Sequence, residues 1–121
     1  MSDYSYDYSY AHSRMLETYG VPIGEGRHRV VFRDGPEVIK VPTKDSGVDA
    51  NRWELSTQGE LYARTLEDPH LTECFGFAII RAEFVEHTGE SNDPDWTWTI
   101  DCGQVGLTAE GRLVAYDWDP Y

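Results

Sequence analysis

Lys40 lies inside an apolar run, Val38-Ile39-Lys40-Val41, and upstream of it Gly24-x-Gly26 is followed by Arg27, His28 and Arg29. These residue types suit phosphate chemistry. Backbone N–H groups of a glycine loop approach phosphate oxygens closely because no side chain blocks them. A fixed ammonium neutralises phosphate charge. Plainer readings stand beside this one. Lys40 could form a salt bridge with Glu60 or Glu54 and simply hold a helix to a sheet. Arg27, His28 and Arg29 could be a small anion site or the solvated tip of a hairpin.

The elements around these residues can be read from pattern. "RHRVVF" and "EVIKVP" are β-branched or aromatic runs, and Asp34-Gly35 between them is a strong hairpin signal. Pro42 ends the second strand. "KDSGVDANRWELSTQGELYARTLEDP" reads as the main helix. It starts near Gly47 to Asp49, with Asp49 as cap, and stops before Pro69. "SRMLETYGVPI" reads as one helical turn capped by Ser13, with Met15 and Leu16 inside and Gly20 stopping it. "ECFGFAIIRAEFVEH" reads as one or two strands, "TGESNDPD" as a loop, and "WTWTID" and "GRLVAYDW" as alternating strands. The stretch before them, "DYSYDYSY", is low in complexity and lacks aliphatic residues. The expectation is a disordered tail over 1–13 and one domain over 14–121. The fold class expected is α+β, an antiparallel sheet with one main helix packed on it.

That order of elements, with those residues in it, resembles the small lobe of the protein-kinase fold. Gly24-x-Gly26 with Val31 stands where the family has G-x-G-x-x-G-x-V, with Arg29 at the third glycine. "VIK" ending at Lys40 stands where the family has V-A-I-K. "ELYARTLEDPHL" resembles the end of the small-lobe helix, which matches Glu60 to the glutamate that pairs with the lysine; Glu54 is the alternative. "QVGLTAEGRLVAYDWD" resembles the hairpin from the magnesium-binding Asn to D-F-G, with Gln104 and Asp117 at its ends. "VIKVPTKDSG" is also similar to the lysine strand of the early host-shutoff protein kinases of short-tailed phages. The resemblance spans roughly residues 19 to 119. It implies Gly24, Gly26, Lys40, Glu60 and Asp117 as nucleotide-binding residues. If a Mg-nucleotide binds, Asp117 and Gln104 are the residues to hold the metal.

The sequence also departs from the family. In "WTIDCGQ" Asp101 lies three residues before Gln104 rather than five, and the His-Arg pair before it is absent. D-F-G becomes Asp117-Trp118-Asp119. Only about fifteen residues, Glu86 to Ile100, stand where the family has a helical domain, and no large-lobe counterpart follows in this sequence. Phosphoryl transfer depends on positioning and electrostatics. The expectation is therefore a miniature pseudokinase, with Asp101 as base only if it is an enzyme. No cofactor is expected to be retained, and Mg-ATP is the one ligand the resemblance leaves open.

Charge points to a partner. The net charge is −12, and residues 41–121 carry sixteen acids against five bases. Such a surface repels nucleic-acid backbones and anionic membranes and suits a basic partner. With the phage resemblance, this predicts a protein that binds and inhibits a host or defence protein in the cytoplasm, with DNA mimicry as one route. The alternative is a minimal phosphotransferase that borrows its missing lobe. Asp93, Asp95, Trp96, Glu110, Trp118, Asp119 and Tyr121 are the interaction candidates, since Trp and Tyr are common interface anchors. The acidic, polar N-terminus does not read as a secretory signal. Cys74 and Cys102 are expected to be reduced and buried, and the four histidines have no metal-ligand spacing.

Overall fold

The computed structural model describes residues 7–56, 63–87 and 105–115. Over these the chain is α+β, as expected. A five-stranded antiparallel sheet has the order β1 (Gly24–Glu25), β2 (Arg29–Asp34), β3 (Glu37–Pro42), β5 (Ile80–Glu83), β4 (Thr65–Glu67). A smaller antiparallel sheet joins β6 (Glu86–His87), β7 (Val105–Leu107) and β8 (Leu113–Ala115).

The β2–β3 hairpin forms where Asp34-Gly35 predicts it, with Asp34 opposite Glu37. Gly35 has φ 61°. Pro36 cannot take a positive φ, so the positive angle falls on the first central residue alone, as a II′ turn requires. The register then sets two faces. Val30 lies opposite Val41 and Phe32 opposite Ile39, while Val31 lies opposite Lys40. Side chains alternate along a strand, so Val30, Phe32, Ile39 and Val41 share one face, and Val31, Val38 and Lys40 share the other.

Helix α1 (Tyr8–Tyr19) covers the first face. Ala11 and Met15, one turn apart, pack with Val30, Phe32, Ile39, Val41 and Phe77 in the main core. Burying Phe32 and Met15 contributes about 1.5–3 kcal/mol each. The Asp7 carboxylate caps α1 by accepting from the Tyr10 N–H, and Gly20 ends it. The helix thus reaches back through residues 8–13, into the stretch expected as tail. The aromatic–polar alternation there masks the spacing of Ala11 and Met15. Leu16, expected inside, is 41% exposed.

Three helices are present among the described residues, where one main helix is expected. Helix α2 (Asp45–Ser56) crosses from β3 and begins before Asp49, which is exposed in its interior rather than capping it. Residues 65–67, assigned to that helix from the sequence, form β4 instead. Helix α3 (Pro69–Phe75) replaces part of an expected strand. Its signals are local: Pro69 in the first turn, the Asp68 carboxylate accepting from the Leu71 N–H, and Gly76 at φ 84° after its end. Cys74 is a free thiol on α3 and is exposed rather than buried. Cys102 and the "WTWTID" stretch lie outside the described residues.

Gly47 is where α2 meets the sheet. A Cβ there would run into the His28 carbonyl oxygen and crowd Pro42. Only glycine lets the helix come this close, and the contact sets where the rest of α2 lies over β2 and β3. No helix among the described residues is long and apolar enough to cross a membrane.

Candidate functional site

Lys40 is buried, and its register opposite Val31 and Ile80 puts it at the middle of the sheet. Its Nζ donates to Glu54 Oε1 at 2.9 Å. Arg29 donates to the other oxygen, Oε2, at 2.6 Å. Both pairs have side chains no more than 5% exposed. Asn51 completes the cluster. It accepts from Arg29 at 3.1 Å and donates to the Lys40 carbonyl at 3.0 Å and the Ala78 carbonyl at 2.7 Å. Asn51 and Glu54 are three residues apart on α2, so they share one face.

Burial alone pushes the Glu54 carboxyl up. The charges of Lys40 and Arg29, and the hydrogen bonds both donate, outweigh that and hold it below its ordinary value. Glu54 therefore stays ionised in a dry site, which makes it a firm anchor for two cations.

Beside this cluster lies a cavity of about 160 Å³ lined by Ile23, Gly24, Val31, Val38, Lys40, Glu83, Phe84 and Val85. It is smaller than the roughly 300–1,000 Å³ of most ligand pockets, so it suits a ring system rather than a whole drug-sized ligand. Its walls come from β1, β2, β3 and the segment after β5. Arg33 lies over the Phe84 ring at 3.5 Å, and the Phe84 N–H donates to the Pro36 carbonyl. These contacts fix one wall. Val85 packs with Ala63 and Val114, so β8 braces the same wall from the small sheet.

The glycine loop is a tight turn, with the Gly26 N–H donating to the Arg29 carbonyl at 2.8 Å. A Cβ at Gly24 would meet nothing within 4 Å, and one at Gly26 only the Arg29 carbonyl at 3.6 Å. The packing of the described residues therefore does not demand either glycine. Gly24 lines the cavity. Arg27 is exposed, but His28 and Arg29 are buried against α2, with His28 Nδ1 hydrogen-bonded to Ser46 Oγ. They are not the solvated tip of a hairpin.

Of the residues singled out from the sequence, the structure brings Gly24, Lys40 and Glu54 into one neighbourhood. Lys40 pairs with Glu54, the alternative partner. Glu60, Asp101, Gln104 and Asp117 lie outside the described residues, as do Asp93, Asp95, Trp96, Trp118, Asp119 and Tyr121. Glu110 is exposed in the β7–β8 turn, 3.2 Å from Arg64. Sequence reasoning missed Arg29 and Asn51 as members of the cluster. The available signal was Asn51-x-x-Glu54, two polar residues at helical spacing, with Glu54 one turn after the apolar-patterned Ala50. Among the described residues no group of three or more His, Cys, Asp or Glu side chains could hold a metal ion. Compared with known protein families, with curated proteins and with solved structures, the chain matches none.

Proposed function

We propose that this chain is a nucleotide-binding module of kinase-small-lobe type. The observation that carries the reading is the double placement of Lys40. It is held by a buried carboxylate on α2, and it lines the same apolar cavity as Gly24. An apolar slot for a ring with a lysine in its wall fits the chemistry of a base joined to phosphates. The described residues fit those two parts of a nucleotide. If a magnesium ion accompanies the nucleotide, the kinase resemblance implies that Asp117 and Gln104, which lie outside the described residues, would hold it, and it would neutralise phosphate charge. The protein's own part is to bind and orient: Ile23, Val31 and Val38 exclude water from the ring, and Lys40 faces the phosphates.

Titration calorimetry with Mg-ATP tests this, with Lys40→Met as control, because that variant leaves Glu54 paired to Arg29. Micromolar binding weakened at least ten-fold in the variant is the expected result. Absence of heat at millimolar Mg-ATP overturns it.

A second reading is favoured by charge. The excess of eleven acids over residues 41–121 suits a partner with a basic surface, such as a host or defence protein that normally binds DNA. In this reading the chain is a phage-type inhibitor in an infected cell, and its carboxylates stand in for phosphates. Partner capture that falls steeply with added salt is expected; capture indifferent to salt removes DNA mimicry.

A further inference from the structure

Two cations share one carboxylate in this site, and they take separate oxygens. Arg29 stands where a phosphate loop would carry its third glycine, yet it is not among the residues lining the cavity. Its guanidinium reaches the other way, to α2, and spans Asn51 and Glu54. One terminal nitrogen, Nη1, donates to both, so Arg29 ties together two acceptors that lie one helical turn apart on α2. Asn51 in turn grips backbone, the Lys40 carbonyl on β3 and the Ala78 carbonyl just before β5. Backbone acceptors do not change rotamer, so these two bonds fix the helix against β3 and the segment that leads into β5.

The start of α2 is held as well. Gly47 lies against the His28 carbonyl and Pro42, Tyr8 Oη donates to Asp45, and Ser46 pairs with His28. Anchors at the beginning, middle and end of a twelve-residue helix leave no free end about which it can swing. Moving α2 outward would take the carboxylate from Arg29 and Lys40 together, in a site nearly closed to water.

We propose that Arg29 is a positioning residue that pins Glu54 and keeps α2 permanently docked, so that Lys40 is set in place before any ligand arrives. This rests on the nucleotide reading for what Lys40 is held ready to do. The docking itself is independent of that reading. A helix with one cation partner can act as a switch, engaged or released by a modest bias. A helix locked by two cations and a bridging amide cannot be released without exposing buried charge. The site is constitutive.

Amide hydrogen exchange on the ligand-free wild-type protein is the first test. A permanently docked helix opens only when the sheet does, so α2 amides are expected to exchange within about three-fold of those of β3. Exchange more than ten-fold faster in α2 overturns the proposal. The second test follows the ¹⁵N signal of the Lys40 ammonium. In Arg29→Gln its proton exchange is expected to rise at least ten-fold, and Arg29→Lys, which keeps the charge, to restore part of the protection. An unchanged Lys40 signal in a folded Arg29→Gln protein overturns the assignment of Arg29. If Arg29→Gln does not fold, the wild-type comparison of α2 with β3 and the Arg29→Lys signal still decide. Neither measurement uses nucleotide, so a failed Mg-ATP titration leaves both interpretable.

Discussion

The two faces of the large sheet each carry a cluster of paired charges, and the two have opposite stoichiometry. On the cavity face, one carboxylate, Glu54, serves two cations in a site no more than 5% exposed. On the α1 face, one cation, Arg81, serves Asp34 at 2.8 Å, Glu37 at 3.3 Å and Asp68 at 2.7 Å, and also donates to Tyr19 Oη at 3.2 Å. Asp34 and Glu37 are nearly half exposed. Burial works against the charge on Arg81, but the hydrogen bonds to Asp68, Asp34 and Tyr19 prevail and raise its pKa above the ordinary value. Asp68 is held below its ordinary value, because Arg81 and the Leu71 N–H outweigh the cost of its burial. The Arg81 cluster can trade partners for water, whereas the Glu54 cluster has little water to trade with. The first fastens α1, the β2–β3 hairpin and α3 together at a wet edge. The second is an all-or-nothing joint.

The sharpest way to break this contrast is at Glu54. Glu54→Gln leaves two buried cations facing a neutral amide and is expected to cost about 3–5 kcal/mol, read as a fall in the urea midpoint. A cost below 1 kcal/mol would mean that the cavity-face cluster is as replaceable as the other. Gly47→Ala comes next, at about 1–3 kcal/mol, because the added Cβ meets backbone that cannot step aside. Arg81→Met is expected to cost about 1–2 kcal/mol, since Asp34 and Glu37 turn to solvent while Asp68 loses its cation and keeps the Leu71 N–H, and less at high ionic strength. Arg64→Ala, which removes the exposed pair with Glu110, is expected to stay within about 0.5 kcal/mol of wild type.

Acid separates the two clusters further. Glu54 has a depressed folded pKa, so its contribution is fully present above its ordinary value of 4.5 and is lost as pH falls through the lower folded value. Asp68 follows the same sign below 3.8. Acid unfolding monitored by tryptophan fluorescence is thus expected to begin below about pH 4.5. Arg29→Gln should move that limb upward. Arg81→Met should raise the Asp68 midpoint, measured by carboxyl NMR, and leave Glu54 where it is. A shift of Glu54 in Arg81→Met would show that the faces are coupled.

Part of the site was legible in residue order. Lys40 in an apolar strand after two glycines pointed to the cavity face, and Asp34-Gly35 to the hairpin that presents it. The partner of Lys40 was not. Glu54 and Glu60 both fall in the stretch that reads as the main helix, and resemblance to the kinase family favours Glu60. For Arg29 the sequence leaves an anion site and a solvated hairpin tip open, because its charge hides a place in the strand alternation, with Val31 two residues on. Helix α3 is hidden for the opposite reason: Asp68-Pro69 both ends one helical pattern and starts another, and the pattern before it is the longer.

What the sequence by itself determined is whatever depends on a few neighbouring residues. The hairpin turn at Asp34-Gly35 and the end of β3 at Pro42 are such cases, because φ restrictions act within a turn of chain. What only the tertiary structure decided is which distant groups meet. Gly47 against the His28 carbonyl sets how close α2 lies, and that depth selects Glu54 for Lys40 and turns Arg29 inward. Those choices follow from packing and desolvation between elements far apart in the chain, and no local pattern carries them.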